Sequence, residues 1–283
     1  MKEQVKSYNY LKVCSLDANR SNAAMHTAMY SISDSQSPTF GLFLVQELWW
    51  EKINQTHGTV SFPGWQAILP KCPLRNDERP CVVAYFRQDA QLDITLRSNV
   101  ISDPDVMILE IRKEGSNKPH TWIINLYNQK PLEEQLIPSW TFNRLINTHL
   151  EINIPTIITG DWNTRHPNWD DRANTPDPRT RETVEWLEGN GFMICNEPFI
   201  PMREDNAGHA SVIDLTFKNV AANGSNILTG HHVDTAIGAL SDHHALVFQI
   251  GDPDEIVYNE TSYNRNWKHA VIGKVTRPDR QEH

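Results

Sequence analysis

Short apolar runs separated by turn residues dominate the chain. Tyr10–Leu16, Phe40–Gln46, Cys81–Arg87, Val106–Arg112, Thr121–Tyr127, Pro155–Thr159, Val212–Phe217 and Ala245–Ile250 are too short for helices, and several are β-branched. Their length and composition predict strands. Helical spacing of apolar residues appears at Asn22–Ile32, at Leu132–Leu150, and at Thr180–Glu188, where Gly189 and Gly191 supply a stop. Many strands with a few interspersed helices predict an α/β protein with two packed sheets. Polar, irregular stretches at Pro70–Pro80, Asn168–Thr180 and Ile200–Ala210 predict long loops, which in a compact domain are often functional. No internal repeat is visible. Beyond Ile250 the pattern is lost, so residues 8–252 are expected to form one domain and 253–283 a polar tail.

Composition adds little to the fold but constrains the function. The 283 residues are 39% hydrophobic and 22% charged, enough for a sizeable core, and the formal charge is −9. A net negative chain is a poor simple polyanion binder, because affinity for nucleic acid comes largely from Lys and Arg releasing counterions. It can still act on a phosphodiester if a metal neutralises carboxylates in its cleft. Cys14, Cys81 and Cys195 sit in or beside apolar runs and read as buried thiols of a reducing compartment; Cys72 and Cys81 flank a polar loop, and a disulfide between them is the less favoured reading. The first ten residues carry no signal-peptide stretch, and no run approaches the ~20 apolar residues of a membrane span. A nuclear or cytoplasmic, non-secreted location without membrane association is expected; oligomeric state is open.

The chemistry-bearing residues lie at the ends of predicted strands, where a sandwich places its loops. After Pro155–Thr159 comes Gly160-Asp161-Trp162-Asn163. In extended chain, residues two apart face the same way, so Asp161 and Asn163 can together hold a water and a phosphoryl oxygen. The bland reading is an Asx-type turn that ends a strand. Ser241-Asp242-His243 precedes Ala245–Ile250, either as a hydrogen-bonded structural pair or as a phosphate-facing imidazole. Asp214, inside an apolar strand, is costly to bury without a partner, and an imidazole held in one tautomer is a natural one. Gln46-Glu47, Asp17-Ala18-Asn19 and Tyr127-Asn128 end three further strands; carboxylates there suit a hard cation such as Mg²⁺. Trp49, Trp50, Trp162 and Trp169 flank these motifs, and core packing is the favoured reading over base stacking.

The ordered set Asp17/Asn19, Glu47, Tyr127, Asp161-x-Asn163, Asp214 and Ser241-Asp242-His243 resembles the exonuclease–endonuclease–phosphatase superfamily, which includes DNase I and the apurinic endonucleases. Leu16-Asp17-Ala18-Asn19-Arg20-Ser21, Gln46-Glu47-Leu48-Trp49-Trp50, Gly160-Asp161-Trp162-Asn163 with His166-Pro167-Asn168-Trp169, and Val212-Ile213-Asp214-Leu215-Thr216-Phe217 are similar to the endonuclease domains of non-LTR retrotransposons. The resemblance implies a four-layer α/β/β/α sandwich and a Mg²⁺-dependent endonuclease, with Mn²⁺ as a substitute ion, that nicks DNA to leave 3′-OH and 5′-phosphate ends. A reverse transcriptase is an implied partner if the chain belongs to a retroelement. It implies Glu47, Asp17 and Asp242 as metal ligands and Asp161 as the group that deprotonates water. Asn163 and Tyr127 would hold the phosphoryl group, His243 oriented by Asp214 would offset its charge, and Asn19 and Arg20 would contact substrate. In an alternative scheme the His–Asp pair is the base. Two positions depart from the family pattern: Asp17 stands where Asn is usual, and Met202 follows Pro201 where Thr is frequent. Competing expectations are a phosphatase of the same fold acting on inositol phosphates or lipid headgroups, and a non-enzymatic remnant.

Overall fold

A computed structural model describes residues 10–33, 40–53, 56–72, 79–90, 92–113, 115, 121–129, 141–148, 150, 153–176, 178–205, 207–219 and 227–251. The expected tail after residue 252 and the part of the expected Leu132–Leu150 helix before Thr141 lie outside them; the rest of that helix ends at Ile146, short of Leu150.

One six-stranded sheet contains β1 (Tyr10–Asp17), β2 (Phe40–Gln46), β5 (Trp65–Ile68), β6 (Val82–Arg87), β15 (Leu228–Asp234) and β16 (Ala245–Gly251), in the order β15-β16-β1-β2-β6-β5. The other contains β7 (Leu92–Leu96), β8 (Val106–Lys113), β9 (Thr121–Tyr127), β10 (Thr156–Asp161), β11 (Phe192–Ile194) and β14 (Asp214–Asn219), in the order β11-β14-β10-β9-β8-β7. Two small hairpins, β3 (Glu51–Ile53) with β4 (Thr56–Gly58) and β12 (Arg203–Glu204) with β13 (Ala210–Ser211), decorate the loops. The helices are α1 (Asn22–Ser33), α2 (Thr141–Ile146) and α3 (Pro178–Gly189). Each sheet has a parallel pair near its middle, β1 with β2 and β9 with β10, each bridged by a helix-bearing crossover and flanked by antiparallel strands.

Two-residue alternation sorts the side chains into layers. In β2, Phe43 and Val45 pack with Ala24, Met25, Ala28, Met29 and Ile32 of α1, while Leu42 and Leu44 face the opposite sheet. In β9, Trp122, Ile124 and Leu126 pack with Phe142, Leu145, Val184 and Leu187 of α2 and α3, while Ile123 faces inward. The result is the expected four-layer α/β/β/α sandwich. Helix ends are satisfied locally. Ser21 Oγ accepts from Ala24 N at 3.1 Å, capping α1, and Pro178 opens α3, where its missing N–H costs nothing.

Polar residues interrupt the inter-sheet layer on approach to one end of the sandwich. Asn125, fully buried, donates to Val45 O at 3.2 Å and Val83 O at 3.1 Å, and accepts from Gln46 Nε2 at 2.5 Å; Gln46 also donates to Ser15 Oγ at 3.1 Å. These bonds stitch β9 to β2 and β6 across the core. Replacing Asn125 by Ala strands several buried polar groups, so a loss of about 3 kcal/mol in urea unfolding is expected; a loss under 1 kcal/mol would mean the network is dispensable.

Candidate active site

The same alternation that lines the core with Val13, Ile123 and Ile157 places Asp17, Tyr127 and Asp161 on the inter-sheet face at the ends of β1, β9 and β10. In the ladders Asp161 is opposite Tyr127 on one side and Asp214 on the other. Thr159 and Thr216, one step inward, share a hydrogen bond of 2.9 Å between their hydroxyls. Along β1 (Val13, Ser15, Asp17) and β10 (Ile157, Thr159, Asp161) this face thus passes from apolar to hydroxyl to carboxylate as the strand nears the end of the sandwich.

The strand-end motifs turn sharply. Asn19, Arg20, Glu47 and Asn163 have left-handed φ values of 45°, 57°, 43° and 49°. These values correct the extended-chain expectation for Asp17/Asn19 and Asp161/Asn163. In both pairs the residue two positions on folds back, and its backbone N–H donates to the aspartate Oδ1, at 2.7 Å for Asp17 and 2.8 Å for Asp161. Asn163 Nδ2 donates to the other Asp161 oxygen at 2.7 Å. Asn19 Nδ2 instead reaches Asp242 Oδ1 at 2.9 Å. The Asx turn and the functional cluster are therefore one arrangement: the turn aims the carboxylate.

Ser241-Asp242-His243 closes the site from β16. Ser241 Oγ donates to Asp17 O at 2.7 Å and accepts from His243 N at 3.2 Å, which pins the motif to the end of β1. His243 Nδ1 bonds Asp214 Oδ2 at 2.7 Å, leaving Nε2 as the ring's remaining nitrogen. Asp17, Asp161 and His243 each offer an atom such that all three lie within 4.8 Å of one another. Glu47 Oε1 accepts from the Tyr127 hydroxyl and, at 3.1 Å, from Arg20 Nη2.

Electrostatics follow from this crowding. Burial pushes the Asp17 carboxyl up to about 7; His243 opposes the shift, and Glu47 and Asp214 add to it. Asp161 is pushed well above the ordinary carboxylate range, first by burial and then by Asp214 and Asp17. Burial disfavours the His243 imidazolium, but Asp214, Asp17 and Asp161 together outweigh it and push the ring up to about 10. His243 is thus cationic at neutral pH, and its stabilising pairing is fully present below about 6.5 and lost as pH rises through about 10. Asp214→Asn is expected to flatten the decline of the urea midpoint over that interval; an unchanged slope would assign the decline to other groups.

Within this cluster two buried carboxylate oxygens, Asp17 Oδ2 and Asp214 Oδ1, lack a hydrogen-bond partner. Orphaned buried acceptors of this kind call for a proton or a cation, so the acidic cluster fits a divalent ion. Asp242 is engaged by Asn19 and, through Oδ2 at 2.9 Å, by Arg203 Nε.

Sequence reasoning missed Arg203. It sits on the two-residue strand β12, makes an isolated bridge with His243, and brings a guanidinium to the site's edge. Its only sequence signal is a lone basic residue before Glu204 and Asp205 in an irregular stretch. Asn196 was also missed. It is buried, donates to Asp214 O at 3.1 Å and accepts from Thr216 N at 2.7 Å, steadying the start of β14. Met202 is fully buried; its backbone accepts from His244 N at 2.6 Å and donates to Ser211 O at 3.0 Å, so that it joins the two loops through main chain. Trp162 and Trp169 are core residues, as favoured, with Trp162 Nε1 bonded to Leu215 O at 3.0 Å; Trp49 and Trp50 are partly buried against the α1 core. His166 packs against Trp169 in a tilted arrangement, with ring centroids 5.0 Å apart, and its Nδ1 accepts from Asn168 N at 3.2 Å within its own loop. Cys14, Cys81 and Cys195 are thiols, so no Cys72–Cys81 disulfide forms. No helix among the described residues is long and apolar enough to cross a membrane.

No curated protein matches the chain. The Endonuclease-reverse transcriptase family model matches residues 121–247, which include Tyr127, Asp161, Asp214 and His243. Among solved structures, the endonuclease domain of TRAS1, a telomere-specific non-LTR retrotransposon, is 18% identical with a TM-score of 0.62, covering 85% of this chain and 98% of that one. An AP endonuclease from Leishmania major is 11% identical with a TM-score of 0.58, covering 87% and 89%. An endonuclease/exonuclease/phosphatase family protein from Leptotrichia buccalis is 13% identical with a TM-score of 0.50, covering 85% and 99%. With its two mixed sheets the chain shares the fold of these endonuclease and endonuclease/exonuclease/phosphatase structures, and the Endonuclease-reverse transcriptase model matches the stretch that contains both central strands of the second sheet.

Proposed function

We propose that the protein is a Mg²⁺-dependent phosphodiesterase that nicks one strand of DNA and leaves 3′-OH and 5′-phosphate ends. The observation that carries this reading is the convergence of Asp17, Asp161 and the Asp214-held His243 within 4.8 Å. Fold and family support a nuclease or phosphodiesterase, and the TRAS1 domain supports DNA as substrate.

Displacement at phosphorus needs a proton removed from water and negative charge offset on the phosphoryl oxygens. Asp161, with both oxygens oriented by Asn163, takes the proton. Its raised affinity for protons makes it a stronger base than an ordinary carboxylate. His243 is already an imidazolium and keeps Nε2–H free to donate to a non-bridging oxygen, while Asp214 fixes the ring. Tyr127 and Asn163 are the neutral donors beside the phosphoryl group. Glu47 and Asp17 would hold Mg²⁺, with Asp242 at the margin, and the ion would supply positive charge against that building on the non-bridging and leaving oxygens.

The site argues against the polyphosphate alternative. Arg203, at its rim, is engaged by Asp242, which leaves Arg20 as the guanidinium for a headgroup that carries several phosphates. The remnant reading draws on Asp17 and Met202; Asp17 still offers a carboxylate to a divalent ion, and Met202 joins the two loops through its main chain while its sulfur accepts from Asn196 Nδ2 at 3.4 Å.

Supercoiled plasmid incubated with Mg²⁺ is expected to be nicked and then sealed by DNA ligase, and EDTA is expected to abolish nicking. His243→Ala should lower the rate about 10²- to 10³-fold. Absence of nicking by the wild type, or full activity in EDTA, would sink the proposal.

A further inference from the structure

We propose that Arg20 is a built-in counter-charge for Glu47, which holds down the site's affinity for divalent cations and is displaced when one binds. The proposal rests on Glu47 being a Mg²⁺ ligand.

Considerable backbone strain is spent on bringing the two together. Asn19 and Arg20 are consecutive non-glycine residues with left-handed φ, at 45° and 57°, and Glu47 is a third at 43°. Such conformations are unfavourable for residues with a Cβ and persist only where neighbours over-determine them. Here the parallel pairing of β1 and β2 continues past both strand ends: Ala18 N donates to Gln46 O at 2.9 Å and Arg20 N to Glu47 O at 2.7 Å. With both main chains clamped, Arg20 Nη2 reaches Glu47 Oε1 at 3.1 Å.

The pair is not a structural core bond. The Arg20 side chain is 46% exposed and that of Glu47 14%, so the guanidinium can swing into solvent without leaving a buried hole. The carboxylate keeps a neutral donor, the Tyr127 hydroxyl, on the same oxygen. A divalent ion ligated by Glu47 meets a positive charge at hydrogen-bond distance, and the two compete for one carboxylate. Once displaced, the guanidinium remains tethered by its own backbone beside the site, free to meet a phosphate. Arg203 does not fill this role, because its partner is Asp242 on the opposite loop.

The test is calorimetric titration of the full chain with Mg²⁺ alone, and with Mn²⁺ as a second probe. Arg20→Gln removes the charge and keeps hydrogen-bonding capacity; Arg20→Ala removes both. Each is expected to bind Mg²⁺ about fivefold more tightly than wild type, the scale of a partly exposed ion pair, and the gain should shrink at high ionic strength. Both residues tolerate exposure, and an unchanged melting temperature verifies folding. Unchanged or weaker binding by Arg20→Gln overturns the proposal. Glu47→Gln separates the two levels: its binding should fall at least tenfold. If Glu47→Gln binds like wild type, the assignment of Glu47 as a ligand fails and this inference fails with it.

Discussion

Asp161→Asn is expected to lower the rate of strand nicking about 10³- to 10⁴-fold, the scale of losing a positioned general base. The substitution preserves shape. The Asn163 backbone N–H can still donate to the remaining carbonyl oxygen, and the Asn163 side-chain amide can turn to accept from the new NH₂, so the turn after β10 is retained. It also removes one of several buried carboxylates that raise one another's affinity for protons. The variant should therefore melt no lower than wild type in EDTA. The two readouts together distinguish lost chemistry from lost structure: a variant that is both inactive and unfolded would say nothing about the base, and one as active as wild type would remove Asp161 from the reaction. Wild-type kcat/KM should carry the same signature. As the proposed base Asp161 acts in its ionised form, and its proton affinity is raised, so the acid limb is expected to fall at higher pH than an unperturbed carboxylate would give. His243 must stay protonated, so activity should decline again as pH passes about 10.

Gly160→Ala is expected to destabilise the domain by about 3–5 kcal/mol, among the largest effects of a single added methyl group. Gly160 has φ 140°, and a Cβ built there meets Leu126 O at 2.0 Å and Gln46 Nε2 at 3.2 Å. The first contact is backbone of the adjacent parallel strand, which cannot move aside without breaking the β9–β10 ladder that carries Tyr127 and Asp161 in register. The second is the glutamine of the inter-sheet network. Urea unfolding with circular dichroism checks the size of the effect. Nicking should fall with it, since Asp161 is the next residue. A midpoint within 1 kcal/mol of wild type would show that the end of the ladder yields easily, contrary to the packing.

Eight of the twelve strands in the two large sheets were legible because their signal is local. Period-two alternation and apolar runs placed Phe40–Gln46 and Thr121–Tyr127 at their observed bounds and most of the rest within a residue or two. Pro155–Thr159 fell short because Gly160 and Asp161 lack strand propensity and are held by ladder partners on both sides; Val212–Phe217 began early because Val212 and Ile213 are apolar but enter the ladder only at Asp214. Loops hid the rest. The two-residue strand at Arg203 has no periodicity to detect.

Alone, the sequence determined which residues end the strands, and so the identity of Asp17, Glu47, Tyr127, Asp161, Asp214 and His243 as a candidate set. Those residues are spread over more than two hundred positions of the chain, from Asp17 to His243, and nothing local says which of them abut. Sheet order and the stacking of one sheet on the other decided that, by setting the end of β1 against those of β10 and β14. Tertiary structure also decided the partners. A long guanidinium side chain reaches whichever carboxylate the folded backbone presents, so the pairing of Arg20 with Glu47 and of Arg203 with Asp242 is written in distances across the fold and in no spacing along the chain.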